Sequence, residues 1–154
     1  MIILDTNVLS ELLRPEPAKH VEQWLSAQNG ATVYFTTIGE AELRLGAAIL
    51  PAGKRRTLLT TAIEGLLTED FRDRILSFDR AAARAYASIA AARRAAGHPI
   101  SQFDCQIAAI ALTREAAVAT RNISDYGGCG IELINPWQPG GTAQPGDTAQ
   151  DESG

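Results

Sequence analysis

The 154-residue sequence predicts an α/β fold built on a parallel β-sheet that is covered by helices. The first observation is the opening run Met-Ile-Ile-Leu, which is too short for a helix and too apolar for an exposed loop. This run fits a strand buried on both faces, and such strands belong to parallel sheets between helices. The second observation is that short strand-like segments alternate with helical patterns along the chain.

Local patterns place the elements in order. Runs of β-branched, aromatic or small apolar residues predict strands, and apolar residues at helical spacing predict helices. The predicted strands are residues 1–4, 31–35, 74–78, 116–120 and 131–134. The predicted helices are residues 8–13, 16–28, 37–49, 54–67, 80–96 and 101–115.

Single residues mark the limits of several helices. Pro15 and Pro17 open the second helix, and Pro51 with Gly53 separates the third helix from the fourth. Asp79 is expected to cap the fifth helix, which a Gly-His-Pro turn then ends.

Composition excludes several classes of protein. The hydrophobic fraction of 45% and the charged fraction of 21% are ordinary globular values. No apolar run approaches the roughly 20 residues that span a bilayer, and no signal peptide is evident, so no membrane partner is expected. The two cysteines lack the spacing of a zinc or disulfide motif, which favours a reducing cytoplasm.

One domain is expected over residues 1–137, followed by a disordered tail over residues 138–154. The tail is rich in Gly, Pro, Thr and Gln and lacks large apolar residues. Its three acidic residues contribute −3 to the net charge of −4, which leaves −1 for the domain. A nearly neutral domain neither indicates nor excludes a nucleic-acid partner.

Asp5 stands directly after the first predicted strand. Ligands of open α/β sheets bind just beyond the carboxyl ends of the strands, so Asp5 lies where such a fold keeps its chemistry. The alternative is that Asp5 or Thr6 only caps the following helix.

Glu42 is a carboxylate on an apolar helix face. Helical geometry places it on the same side as Ile38, Leu45 and Ile49, whereas Glu40 falls on the opposite, polar side. A carboxylate facing a core must be paired, protonated or bound to a metal. The alternative is a partly buried ion pair with an arginine.

Two further carboxylates have strong structural alternatives. Asp104 faces inward three residues after Ser101, but Ser-x-x-Asp is close to a capping box. Asp125 follows the predicted strand that ends at Thr120, but an Asp before two glycines is also typical of a turn.

The four acids together predict a cation site. If the sheet is parallel, Asp5, Asp125 and the starts of the following helices meet at one edge of it. Two carboxylates about 4 Å apart repel by roughly 4 kcal/mol at an effective dielectric of 20, so a cluster requires protons or a cation. Oxygen ligands without His or Cys suit Mg²⁺ or Mn²⁺, and the implied chemistry is metal-assisted phosphodiester hydrolysis.

In this order and spacing, the motifs resemble PIN-domain ribonucleases. The most similar type is the VapC toxin of type II toxin–antitoxin systems, in its FitB-like branch. The resemblance covers residues 1–137. The residues that carry it are 2–7 (Ile-Ile-Leu-Asp-Thr-Asn), 42–46 (Glu-Leu-Arg-Leu-Gly), 103–111 (Phe-Asp-Cys-Gln-Ile-Ala-Ala-Ile-Ala) and 120–126 (Thr-Arg-Asn-Ile-Ser-Asp-Tyr).

The resemblance implies a three-layer α/β/α sandwich with a central parallel sheet. It implies an endoribonuclease that depends on Mg²⁺ or Mn²⁺ and is inhibited by a cognate VapB-like antitoxin that occludes the acidic pocket. It also implies a homodimer, and a larger toxin–antitoxin assembly is compatible with it.

The resemblance also assigns residues to the site. Asp5, Glu42 and Asp104 match the three core acidic positions of the family, with Asp5 and Asp104 as metal ligands. A fourth acid of the family falls at Asn122 in this chain, which is a departure from the pattern. Asp125 is expected to supply the missing carboxylate. The hydroxyl groups of Thr6 and Thr120, after the first and fourth strands, are expected to hold carboxylates or water in place.

Two other classes of protein fit less well. A phosphatase built on a strand-end Asp needs an Asp-x-Asp pair or a lysine, but residue 7 is Asn and neither lysine lies at a strand end. A non-catalytic PIN-fold module that binds RNA or protein has no need to keep Asp5, Glu42 and Asp104 together.

Overall fold

The computed structural model describes residues 1–144 and contains one six-stranded sheet. Five strands run parallel, and their order across the sheet is β3-β2-β1-β4-β5. These strands are β1 (Ile2–Leu4), β2 (Val33–Thr36), β3 (Ile75–Leu76), β4 (Ala117–Ala119) and β5 (Leu133–Asn135). A sixth strand, β6 (Thr142–Gln144), pairs antiparallel with β5 at the edge.

Helices cover both faces of the sheet, which confirms the predicted three-layer α/β/α sandwich. The helices are α1 (Thr6–Leu12), α2 (Lys19–Ser26), α3 (Thr37–Ala48), α4 (Lys54–Gly65), α5 (Arg80–Ala95) and α6 (Gln102–Thr113). A π-helical turn, Leu66–Asp70, extends α4, and short 3₁₀ turns occur at Gly30–Thr32 and Ile123–Tyr126.

Two apolar cores lie on opposite faces of the central strands. Ile3 and Val118 face the core shared with α5 and α6. Leu4 and Ala119 face the core shared with α1, α2, α3 and α4. Because successive side chains of a strand point to opposite faces, β1 is buried on both sides, as its apolar sequence predicts.

The α3 helix is rotated relative to the prediction. Its buried residues are Gly39, Leu43 and Ala47, whereas Leu45 and Ile49 are 58% and 73% exposed. The expected apolar stripe through Leu45 and Ile49 is therefore wrong. The physical reason is a close approach to β2, since a Cβ atom at Gly39 would lie 2.4 Å from the ring of buried Phe35.

The start of the second helix and part of the C-terminal tail also differ from the prediction. The second helix starts at Lys19, three residues later than expected, because the Pro-rich segment before it stays outside the helix. The backbone of β6 pairs with β5, so part of the tail that was predicted to be disordered is a short edge strand. The remaining tail residues, 145–154, lie outside the described residues, and the boundary at residue 137 stays a prediction.

Apolar helices of membrane-spanning length are absent from residues 1–144.

Gly39 gives a test of the packing that positions α3. Gly39→Ala should lower the free energy of unfolding by roughly 1–3 kcal/mol, because the added methyl group overpacks the Phe35 ring. This sign is opposite to the ordinary effect of Gly→Ala in a helix. Gly46→Ala in the same helix is the matched control, since its Cβ meets no atom within 4 Å. It should raise stability by roughly 0.5–1 kcal/mol. Chemical denaturation measures both, and stabilisation by Gly39→Ala would contradict the close approach.

Candidate acidic site

The acidic site lies where the order of the strands reverses. The chain moves from β1 outward to β2 and β3, and then returns to place β4 on the other side of β1. Asp5 follows β1, Thr120 follows β4, and the Asp5 amide donates to the Ala119 carbonyl at 2.9 Å. Crevices at such reversal points are where open α/β sheets bind ligands.

Asp5 is buried and its two carboxylate oxygens have different partners. Oδ1 accepts a hydrogen bond from the Thr6 amide at 2.8 Å, so Asp5 does cap α1. Oδ2 accepts from the Thr120 hydroxyl at 2.8 Å and from the Asn7 side-chain amide at 3.3 Å. Asn7 in turn accepts from the Arg121 amide at 3.4 Å and braces the loop. Capping and a place in the site are therefore compatible roles for Asp5.

Glu42 enters the site from α3. Its Oε1 atom accepts a hydrogen bond from the Thr6 hydroxyl at 2.8 Å. The arginine two residues on, Arg44, instead pairs with Glu40 at 3.2 Å and with Glu64. The alternative of a buried arginine–Glu42 ion pair is therefore wrong, and Glu40 is confirmed on the polar side of the helix.

Asp104 enters from α6, in the opposite helix layer. The Ser101 hydroxyl accepts from the Asp104 amide at 3.3 Å, so Ser101 caps α6 and the capping motif is real. The Asp104 carboxylate takes no part in this cap. Its Oδ1 atom accepts a hydrogen bond from the Tyr126 hydroxyl at 3.3 Å. That hydroxyl also lies near Asp5, and Tyr126 is 1% exposed.

Sequence reasoning missed the role of Tyr126. An aromatic residue in a short turn is ordinarily core packing, and no sequence pattern marks its hydroxyl as a hydrogen-bond donor to Asp104 in a distant helix. Burial and the negative charges of Asp5 and Asp104 raise the pKa of Tyr126, so the phenol stays protonated and donates.

The electrostatics join the three acids into one site. Burial raises the pKa of Asp5 to about 6, and the charge of Asp104 adds to the rise. Burial and the charge of Asp104 also raise the pKa of Glu42. Within residues 1–144, no ion pair neutralises any of these three carboxylates.

Asp125 does not join this cluster. Its side chain is exposed, and its recorded hydrogen bonds are backbone ones, including a bond from Arg93 to its carbonyl at 3.1 Å. A role for its carboxylate as the fourth acid stays a prediction.

The donor set fits Mg²⁺ or Mn²⁺ held by few protein ligands. In the described part of the chain, no three His, Cys, Asp or Glu side chains converge closely enough to hold an ion by themselves. Mg²⁺ usually keeps several waters and needs only one or two carboxylates. Asp5 and Asp104, whose charges interact, provide such a pair, and their mutual repulsion favours a cation.

Fold and site together define an α/β/α protein with a group of acidic residues at the reversal point of a parallel sheet. The sequence matches the PIN domain family over residues 2–124, and the chain belongs to this family.

Named relatives match nearly the whole chain. It is 46% identical to the plasmid stability protein StbB of Pseudomonas syringae pv. tomato and 44% identical to the VapC ribonuclease Y4jK of Sinorhizobium fredii. Both matches cover 90% of this chain and 99% of the relative. The toxin FitB of Neisseria gonorrhoeae is 40% identical, over 89% of this chain and 99% of FitB.

A solved structure agrees with the fold. The crystal structure of FitAcB from Neisseria gonorrhoeae superposes with a TM-score of 0.85 at 40% identity. The match covers 90% of this chain and 99% of that chain. The predicted resemblance to PIN-domain proteins of the VapC and FitB type is therefore confirmed.

The raised pKa of Asp5 gives a pH-dependent stability test in metal-free buffer. The folded state holds the proton up to about pH 6, whereas the ordinary pKa is 3.8, so ionisation of Asp5 destabilises the fold. This penalty is absent below about pH 4 and complete above about pH 6, where it amounts to about 3 kcal/mol. Asp5→Asn should therefore raise the free energy of unfolding by roughly 1–3 kcal/mol at pH 8, and by much less at pH 4.

Asp79→Asn is the matched control for this test. Asp79 caps α5 through the Ala82 amide at 2.9 Å but is exposed, so its replacement alters a helix cap without removing a buried charge. Urea denaturation at both pH values, with EDTA present, measures the difference. If Asp5→Asn destabilises the protein equally at both values, capping outweighs charge repulsion and the electrostatic account of the site is wrong.

Proposed function

We propose that this protein is a metal-dependent endoribonuclease that acts as the toxin of a type II toxin–antitoxin system. The observation that carries the proposal is that Asp5, Glu42 and Asp104, one from each layer of the fold, lie at the reversal point of the sheet. The charge of Asp104 raises the pKa of the other two, and no ion pair within residues 1–144 neutralises any of the three. The relatives named above, a VapC ribonuclease and the toxin FitB, support the same proposal.

Each residue has a distinct part in the proposed reaction. Asp5 and Asp104 would hold Mg²⁺ or Mn²⁺, which when bound lowers the pKa of water and offsets charge building on the phosphate. Glu42, oriented by Thr6, would position the attacking water and accept its proton. Thr120 fixes the Asp5 carboxylate, and products with 5′-phosphate and 3′-hydroxyl ends are expected from the family resemblance.

Arg121 is the proposed contact for the RNA backbone. It directly follows Thr120, its amide bonds Asn7, and its guanidinium lies 5.3 Å from the centre of the Trp137 ring. Arg93 is less suited to this role, because its guanidinium already donates to backbone carbonyls. An exposed guanidinium beside an acidic site can bind a phosphate without filling the site.

Glu42 and Glu40 give a paired test of the proposed activity. Glu42→Gln should reduce cleavage of single-stranded RNA in Mg²⁺ or Mn²⁺ by roughly 100-fold or more, because the proton acceptor is lost. Glu40→Gln, in the same helix but paired with Arg44, should leave cleavage unchanged. Circular dichroism checks that both variants fold. A protein that binds RNA but cleaves none in either metal would favour the non-catalytic alternative.

An apolar groove beside Glu42 is the proposed docking site of the antitoxin. It lies between α1, α3 and α4 and has a volume of about 830 Å³. Its lining includes Leu13, Leu43, Leu50, Leu58, Leu59, Ala62 and Ile63, together with the basic residues Arg14, Lys54 and Arg55. An amphipathic helix that carries acidic residues fits this chemistry, and its end would reach Glu42 and block the site.

Leu58 tests this docking site. Leu58→Asp should weaken binding of the cognate VapB-like antitoxin by at least about tenfold, because it puts a charge into the apolar contact. RNA cleavage by the free toxin should persist. Leu45→Asp is the matched control, since Leu45 is 58% exposed, close to the 60% of Leu58, but does not line the groove. Equal weakening by both variants in a binding titration would argue against the groove.

A homodimer and a cytoplasmic location complete the proposal. Cys105 and Cys129 are free and buried, which suits a reducing compartment. The exposed apolar residues Phe103 and Leu112 on α6 are available for contact between subunits.

A further inference from the structure

Tyr126 differs from the other hydroxyl donors of the site. The Thr6 hydroxyl donates to Glu42 and the Thr120 hydroxyl donates to Asp5, whereas the Tyr126 hydroxyl donates to Asp104 at 3.3 Å and also lies near Asp5. A phenol has one proton, so it donates to one carboxylate at a time while staying close to the other. Among the described residues, Tyr126 is the one whose hydroxyl donates to one proposed metal ligand and lies near the other.

We propose that Tyr126 is a positioning residue that fixes the spacing of Asp5 and Asp104 for cation binding. This inference rests on the proposed function, because it assumes that these two carboxylates hold the metal. The Asp104 carboxylate is only partly buried, and among the described residues Tyr126 is its one side-chain hydrogen-bond partner. Without the hydroxyl, Asp104 would turn away from Asp5, and the metal would have to order both carboxylates as it binds.

Arg93 holds Tyr126 in place from the neighbouring helix. Its guanidinium donates to the carbonyls of Asp125, at 3.1 Å, and of Gly127. These carbonyls flank Tyr126, so the planar fork of Arg93 fixes the turn on both sides of the tyrosine. The Arg93 Nε atom is buried and has no hydrogen-bond partner among the described residues, so the two loop carbonyls are the acceptors of this guanidinium. Arg93 therefore acts on the site through Tyr126.

Packing alone does not explain the hydroxyl. A phenylalanine would fill the same space, and a buried hydroxyl that lacked a purpose would only add a desolvation cost. Tyr126→Phe separates the two roles, because it removes the hydroxyl and leaves the ring in the core. Tyr34→Phe is the matched control, since Tyr34 packs against the same core and its hydroxyl makes no hydrogen bond within residues 1–144.

The experiment is a titration of the purified protein with Mn²⁺. Electron paramagnetic resonance measures the concentration of free Mn²⁺ at each step and so gives the Kd. Partners that orient metal ligands typically contribute 10- to 100-fold to affinity, so Tyr126→Phe should raise the Kd for Mn²⁺ by roughly that factor. Tyr34→Phe should leave the Kd unchanged. Urea denaturation in EDTA checks that the variants fold.

The outcomes separate this inference from the proposed function. If the wild-type protein binds no Mn²⁺, the proposed function fails and takes the inference with it. If the wild type binds and Tyr126→Phe binds equally well or more tightly, the inference is wrong and the proposed function stands.

A double-variant cycle tests the path from Arg93. Arg93→Lys cannot span two carbonyls and should also weaken Mn²⁺ binding, but it should add nothing to Tyr126→Phe. Additive losses in the double variant would show that Arg93 does not act through the hydroxyl and would overturn that step.

Discussion

The structure depends on one electrostatic constraint: three carboxylates lie near one another in a partly buried site at the carboxyl end of the sheet. Asp5, Glu42 and Asp104 share the reversal point of the sheet, and the charge of Asp104 opposes ionisation of both others. Hydroxyl groups, not cationic side chains, stabilise these carboxylates. Thr120, Thr6 and Tyr126 each donate a hydrogen bond to a different one. Neutral donors hold the oxygens in place but leave the net negative charge, and this is the condition under which a divalent cation binds.

The fold creates this pocket by fixing where each element starts. The two-sided burial of β1 places Asp5 at the strand end, between the two helix layers. Thr36 ends β2 and caps α3 by accepting from the Gly39 amide at 3.0 Å, which fixes the position of Glu42 two turns into the helix. Ser101 does the same for Asp104 in α6. The capping residues therefore fix where each helix begins, and the start of each helix fixes the position of its acidic residue.

Much of this could be predicted because the determining interactions are local. The strand character of the first four residues, the capping serine and the place of Asp5 after a strand all follow from short-range patterns. The rotation of α3 could not be predicted, since a helical wheel does not reveal that Gly39 must meet Phe35 across the core. Tyr126 was missed for a similar reason, because its partners lie in other layers. The pairing of β6 depends on an edge that only the assembled sheet presents.

The central claim is that Asp5 and Asp104 form one cation site, and anomalous diffraction from a crystal soaked in Mn²⁺ tests it most directly. The account predicts a manganese peak in contact with carboxylate oxygens of both residues, with the remaining positions filled by water. A peak that contacts only one of the two acids, or no peak in the pocket, would contradict it.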